Sequence, residues 1–153
     1  MSRRSKLPLN HTFCVAYTVG IVMCVCCPLA LQLNLDKIII PRSYVSSETI
    51  QSIGYTFTGL TLTCIITVTL RWKKIRSNFS KLTEGQQGKV LLREIVLYST
   101  IFVLSSFFGT TYYLLGGTPV KSFARNFITL TPIMFFVFIP RLSTWQKASK
   151  DNR

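Results

Sequence analysis

Three cysteines within four residues, Cys24, Cys26 and Cys27, form the densest group of metal-binding or redox-active side chains in this 153-residue sequence. Thiolates at that spacing can hold a soft metal ion if a second cluster of Cys or His completes a tetrahedral set. No such cluster follows, because Cys14 and Cys64 stand alone and the single histidine is His11. A catalytic set is equally hard to assemble. The sequence has no embedded acid pair, no Gly-rich phosphate loop after a strand, and no Ser, His and Asp arrangement. It therefore predicts a protein that is not an enzyme and uses no metal or cofactor, with its cysteines as small apolar packing residues.

Hydroxyls offer the next chemistry. Thr56, Thr58, Thr61, Thr63, Thr67 and Thr69 crowd one short segment together with Gly54 and Gly59. At about 100° per helical residue, Thr56, Thr63 and Thr67 share a face with Gly59 close to it. A small, weakly polar stripe of this kind suits close helix packing with hydrogen bonds between helices. It is expected to look inward. Thr56, Gly59, Thr63 and Thr67 are accordingly the ligand-facing candidates, although no ionisable residue in the stripe supports ion or proton transport.

These residues must be held by elements that the charge pattern reveals. Phe13 to Leu31 and Ile95 to Leu115 contain no charged residue, and each supplies the ~20 apolar positions that a bilayer-crossing helix needs. Two further segments bring the expected spans to about 12–33, 51–70, 95–115 and 123–139. The fold expected is an all-α, four-transmembrane-helix bundle in one membrane domain. A net charge of +13 with 48% hydrophobic residues would otherwise suggest nucleic acid, but here the charge lies between the spans. Nucleic acid is excluded as a partner, as are a disulfide scaffold and a disordered chain. The lipid bilayer takes its place.

Fourteen of the eighteen Lys and Arg residues fall before the first span, between the second and third, or after the fourth. Only Lys37, Arg42, Lys121 and Arg125 lie on the other side. Under the positive-inside rule both termini are cytosolic, as are a connection over 71–94 and a tail over 140–153. A cleaved signal peptide ending near Pro28-Leu29-Ala30 is the rival reading of the first span, with a poor cleavage pattern. In the 71–94 connection, Lys89 to Glu94 is expected to extend the third span as helix. Arg71, Lys73, Lys74, Arg76 and Arg93 make the expected surface for a cytosolic partner, with contact to anionic lipid as the simpler role. In the fourth span, Pro132 must break a backbone hydrogen bond and is the hinge candidate.

This order of parts resembles the carboxy-terminal four helices of a seven-helix receptor. Trp72-Lys73-Lys74-Ile75, Leu91-Leu92-Arg93-Glu94 and the Thr131-Pro132 ending are similar to the nematode serpentine chemoreceptors, in the superfamily of the srg and srv groups. The resemblance runs from about residue 8 to 145. It implies a G-protein-coupled receptor for an external chemical signal, with a heterotrimeric G protein at the cytosolic face and other membrane helices as neighbours. Thr131-Pro132-Ile133-Met134-Phe135 stands where rhodopsin-like receptors carry Asn-Pro-x-x-Tyr, and only the proline matches. The Trp-x-Pro feature of the third span and the cysteine of the 34–50 loop are missing, and so are three preceding helices. A truncated, partial or degenerate relative is expected on this reading. The rival is a non-enzymatic auxiliary or scaffolding subunit whose threonine-rich helix packs on a larger partner.

Two acceptor sequons, Asn10-His11-Thr12 and Asn78-Phe79-Ser80, lie on the side assigned to the cytosol. Translation with microsomes should therefore yield no glycosidase-sensitive mass shift. A glycan at Asn78 would reverse the assigned topology.

Overall fold

The computed structural model describes residues 9–40 and 45–150. Among them every regular element is helical. The first rod joins α1 (Leu9–Ile21), a π-helical turn (Val22–Cys26) and α2 (Cys27–Lys37). It is followed by α3 (Ser47–Phe79), α4 (Glu84–Gly116), a 3-10 turn (Thr118–Val120), α5 (Lys121–Phe138) and α6 (Leu142–Lys150). Four stretches, Asn10–Leu35, Ser47–Phe79, Gly85–Gly116 and Thr118–Ser149, are long and apolar enough to cross a membrane. The last is interrupted at Ile139 to Arg141, so its crossing part is α5. The chain is thus the all-α, four-helix bundle that its charge-free segments predict.

Each rod follows from its local sequence. Pro28 has no N–H to donate to the carbonyl of Cys24, and the ladder widens there. The Cys27 N–H reaches back to the Val22 carbonyl. Ser46 starts α3 by accepting from the Thr49 N–H at 3.3 Å. Glu48 stands in the first turn, where a negative charge suits the unpaired N–H groups. Helices α3 and α4 have 33 residues each. At that count each is about 50 Å long, well beyond the roughly 30 Å of a hydrocarbon core. The connection expected over 71–94 is consequently helical almost throughout. Arg71 to Phe79 contains no Gly or Pro to stop α3. α4 restarts at once because the Thr83 N–H donates to Gln86 Oε1 at 3.1 Å, half of a reciprocal cap. Only Ser80 to Thr83 are left to turn the chain.

The core is organised around α4. Leu91, Ile95, Tyr98 and Phe102 are buried against Ala16, Cys24, Val68, Met134 and Phe135, while Tyr112 and Tyr113 close a second cluster with Leu35, Ile50, Ala124 and Ile128. Close contact needs small residues. A Cβ added at Gly109 would stand 2.6 Å from the Ala124 carbonyl oxygen, so α4 and α5 touch there backbone to backbone. Nearby, Ser105 donates to the Phe127 carbonyl at 2.8 Å and Ser106 pairs with Thr131 at 2.7 Å. Gly117 ends α4 with a positive φ, a conformation that L side chains rarely adopt.

The two ends are tied separately. At one end Tyr113 donates its hydroxyl to the Ile38 carbonyl, and the Thr118 N–H and hydroxyl both reach Ile40, at 2.8 and 2.7 Å. At the other, Gln146 donates to Asn10 at 3.1 Å, which sets α6 beside the start of α1. Large apolar side chains such as Leu62, Phe107 and Phe136 point outward, as a lipid-facing surface requires.

Gly109→Ala should lower stability by about 1–3 kcal/mol through overpacking, read as thermal unfolding of the purified chain in detergent. Gly59→Ala should cost nothing, because no atom lies within 4 Å of the added carbon. Equal tolerance at both positions would rule out the close α4–α5 crossing.

Candidate functional site

The threonine stripe does not face the bundle. Thr56, Gly59, Thr63 and Thr67 are all exposed on the outer side of α3, which corrects their expected inward, ligand-facing placement. The reason is competition between two faces of one helix. Phe57, Thr61, Ile65, Val68 and Trp72 recur at helical spacing on the opposite side. They offer far more contact area than threonine and glycine. The outward hydroxyls remain satisfied locally. Thr56 donates to the Ser52 carbonyl at 3.0 Å and Thr63 to the Gly59 carbonyl at 2.9 Å.

A cavity does open elsewhere on α3. At the end opposite α6, a space of about 520 Å³ lies between the first turns of α3 and the α4–α5 hairpin. Ile50, Tyr112, Phe123 and Phe127 supply apolar walls, and Tyr55 and Thr58 supply hydroxyls. Gly54 lets the Tyr112 ring lie close against α3: a Cβ there would stand 2.9 Å from the Tyr112 hydroxyl, so a larger residue would push that ring aside. Gln51 donates its amide to Tyr55 at 3.1 Å and fixes one polar edge. The size suits one small, mainly apolar molecule.

At the α6 end the expected partner surface divides into two kinds of residue. Arg71 donates from Nε and Nη2 to the two carboxylate oxygens of Glu94, the second contact at 2.9 Å, and Arg93 donates to the same carboxylate at 3.0 Å. Glu94 is fully buried, whereas the arginine side chains remain 41% and 66% exposed. Arg71 therefore ties α3 to α4, while Arg93, Glu94's neighbour on α4, adds a second guanidinium to the same carboxylate, so both are already engaged within the chain in a way not expected of them. Lys73 and Lys74 are exposed without that duty, and Arg76 is exposed on the same stretch of helix.

α6 covers this end. Trp145 is fully buried against Trp72 and Phe79, with ring centroids 4.6 and 4.9 Å away. The edge-on geometry is one that aromatic pairs prefer. Ser149 donates to Gln87 at 3.0 Å, and Gln87 in turn donates to the Phe79 and Leu82 carbonyls at 3.2 and 3.1 Å. The turn between α3 and α4 is thereby pinned from below. The tail expected over 140–153 contains this docked helix, which sequence reasoning missed although Leu142, Trp145 and Ala148 recur at helical spacing. Pro132 sits within α5, which runs through it to Phe138. Its neighbour Thr131 is buried and donates to the Phe102 carbonyl at 3.1 Å.

Arg71→Ala should destabilise the chain by about 1–3 kcal/mol, because it strips a buried carboxylate of its two-pronged partner. Glu94→Gln should cost less, since the released guanidiniums already reach solvent. Melting in detergent decides the order, and Glu94→Gln proving the worse of the two would deny the clamp.

Comparison of the chain with protein-family models, with curated proteins and with solved structures finds no match.

Proposed function

We propose that this chain is a chemoreceptor-type membrane protein that binds a small apolar molecule between α3 and the α4–α5 hairpin and passes the signal along α3 and α4. One observation carries this reading: the same two unbroken helices wall the cavity at one end and carry the Arg71–Glu94 pair at the other. Tyr55 and Arg71 are sixteen residues apart on α3, about 24 Å along the axis. A ligand that prefers one spacing of α3 and α4 would shift the population toward it at both ends. The basic end is taken as cytosolic from the distribution of Lys and Arg. A heterotrimeric G protein would read the exposed ends of α3 and α4 there, as the resemblance to serpentine receptors implies.

A second reading is favoured by a different observation. Thr56, Gly59 and Thr63 form an outward strip of small residues, and at Gly59 nothing lies within 4 Å of an added carbon. Such strips accept a neighbouring helix closely. On that reading the chain is an auxiliary subunit packed by α3 on a larger membrane partner.

One labelling experiment separates them. Spin labels at Lys73→Cys and Lys89→Cys, with the native cysteines replaced by alanine, should report a shift of about 1–2 Å or more when 1-aminoanthracene saturates the cavity. Thr58→Trp should abolish both binding and shift. Saturable binding with an unchanged distance rejects the coupling. Gly59→Leu should leave binding and shift intact for a receptor, whereas an auxiliary subunit should lose its partner in membrane cross-linking.

A further inference from the structure

A second cleft, of about 320 Å³, opens at the α6 end between α3 and α4. Its polar lining is Arg71, Lys74, Asn78 and Arg93, and Ile75 and Val90 form apolar walls. Two of the three cations, Arg71 and Arg93, contact the one buried carboxylate, Glu94, and Lys74 adds a third positive charge, so the cleft carries an excess of two. Glu94 engages both guanidiniums through hydrogen bonds, which orients them before any ligand arrives. Preorganised donors of this kind suit phosphate oxygens.

Depth decides where the phosphate comes from. Between Glu48 and Arg71 the helix has no charged residue. Arg71 therefore marks the level at which the apolar part of α3 ends and headgroups begin. Arg93 lies at the same level through the shared carboxylate. Lys74 and Asn78 follow one and two turns farther from the apolar part, so the cleft continues outward by about 10 Å. That length exceeds a lone glycerol phosphate.

We infer that this cleft binds an anionic phospholipid headgroup, with the glycerol phosphate at Arg71 and Arg93 and a further phosphate near Lys74 and Asn78. A phosphorylated inositol headgroup has this chemistry. Basic clefts between membrane helices on the cytosolic side are suited to such lipids. Occupancy adds a bridge between α3 and α4 at the end where Arg71 and Glu94 already join them. The inference stands on this cleft alone and is independent of a ligand in the opposite cavity.

The test is native mass spectrometry of the full chain in detergent, with phosphatidylinositol 4,5-bisphosphate against phosphatidylcholine. The wild-type chain should retain the phosphoinositide selectively. Lys74→Glu should reduce retention about tenfold, while Lys73→Glu, the same charge change on a residue outside the cleft, should change it less than about twofold. Lys74→Gln gives the same comparison with a milder change, should the reversed charge disturb folding. Equal losses from the Lys73 and Lys74 variants would reduce the effect to a general basic surface and overturn the site. Equal retention of phosphatidylcholine would overturn it too. Soluble inositol 1,4,5-trisphosphate binding as well as the lipid would assign the cleft to a free phosphoester and overturn the lipid assignment.

Discussion

Where α4 crosses α5, Gly109 presents bare backbone to the Ala124 carbonyl, and this approach governs how the other helices can be placed. In lipid, apolar side chains gain little by leaving one hydrocarbon surface for another, so helix pairing depends on fitted contact and hydrogen bonds. Gly109, Ser105 and Ser106 supply both on one face of α4. With α5 held there, Phe135 is brought against Gly20 of the first rod. A larger residue at Gly109 would need α5 to retreat, and one at Gly20 would need the Phe135 ring to move. α4 is thus enclosed on several sides, with 44% of its most apolar stretch buried against 11% for that of α3.

That imbalance bears on function. A helix with few buried residues opens at lower free energy than one locked in the core, so α3 is the element the bundle holds least firmly. Phe57, Thr61, Ile65 and Val68 hold its middle to the bundle. Toward its ends lie the contact of Gly54 with Tyr112 beside the larger cavity and the Arg71–Glu94 pair with the aromatic contacts beneath it. Between these two the helix is unbroken for about five turns. Trp145 and Gln87 hold the α3–α4 turn against α6.

The sequence made the spans legible because membrane crossing is decided by long runs of residues, which composition records directly. Ile95 to Leu115 needs no tertiary information to be read as a crossing helix. Which face of a helix looks inward is a different kind of question. Thr56, Thr63 and Thr67 share a face by simple periodicity, yet Phe57, Ile65 and Val68 share another, and the outcome depended on the shape of α4 opposite them. The cavity beside Gly54 was invisible for the same reason, since its walls come from three helices. The 71–94 connection misled through its charge: a solvated basic stretch reads as a loop, but Arg and Lys are good helix formers and nothing there stops α3. Pro28 did carry a usable signal for the π-helical turn, because a proline inside a long apolar helix must disturb the ladder one turn earlier.

Glu94 shows how a single acid changes the meaning of the basic residues around it. Counted along the chain, Arg71 and Arg93 belong with Lys73 and Lys74 as topology-setting charge. In the fold the two arginines share one buried carboxylate, and Arg71 thereby joins α3 to α4 as well as marking a side of the membrane. The carboxylate needs both to offset its loss of water, and it neutralises only one of their two charges. The remainder, with Lys74, stays directed into the α3–α4 cleft. The same burial that secures the two helices therefore leaves a fixed positive field at their interface, where a mobile surface arginine would have been screened by salt and free to turn away.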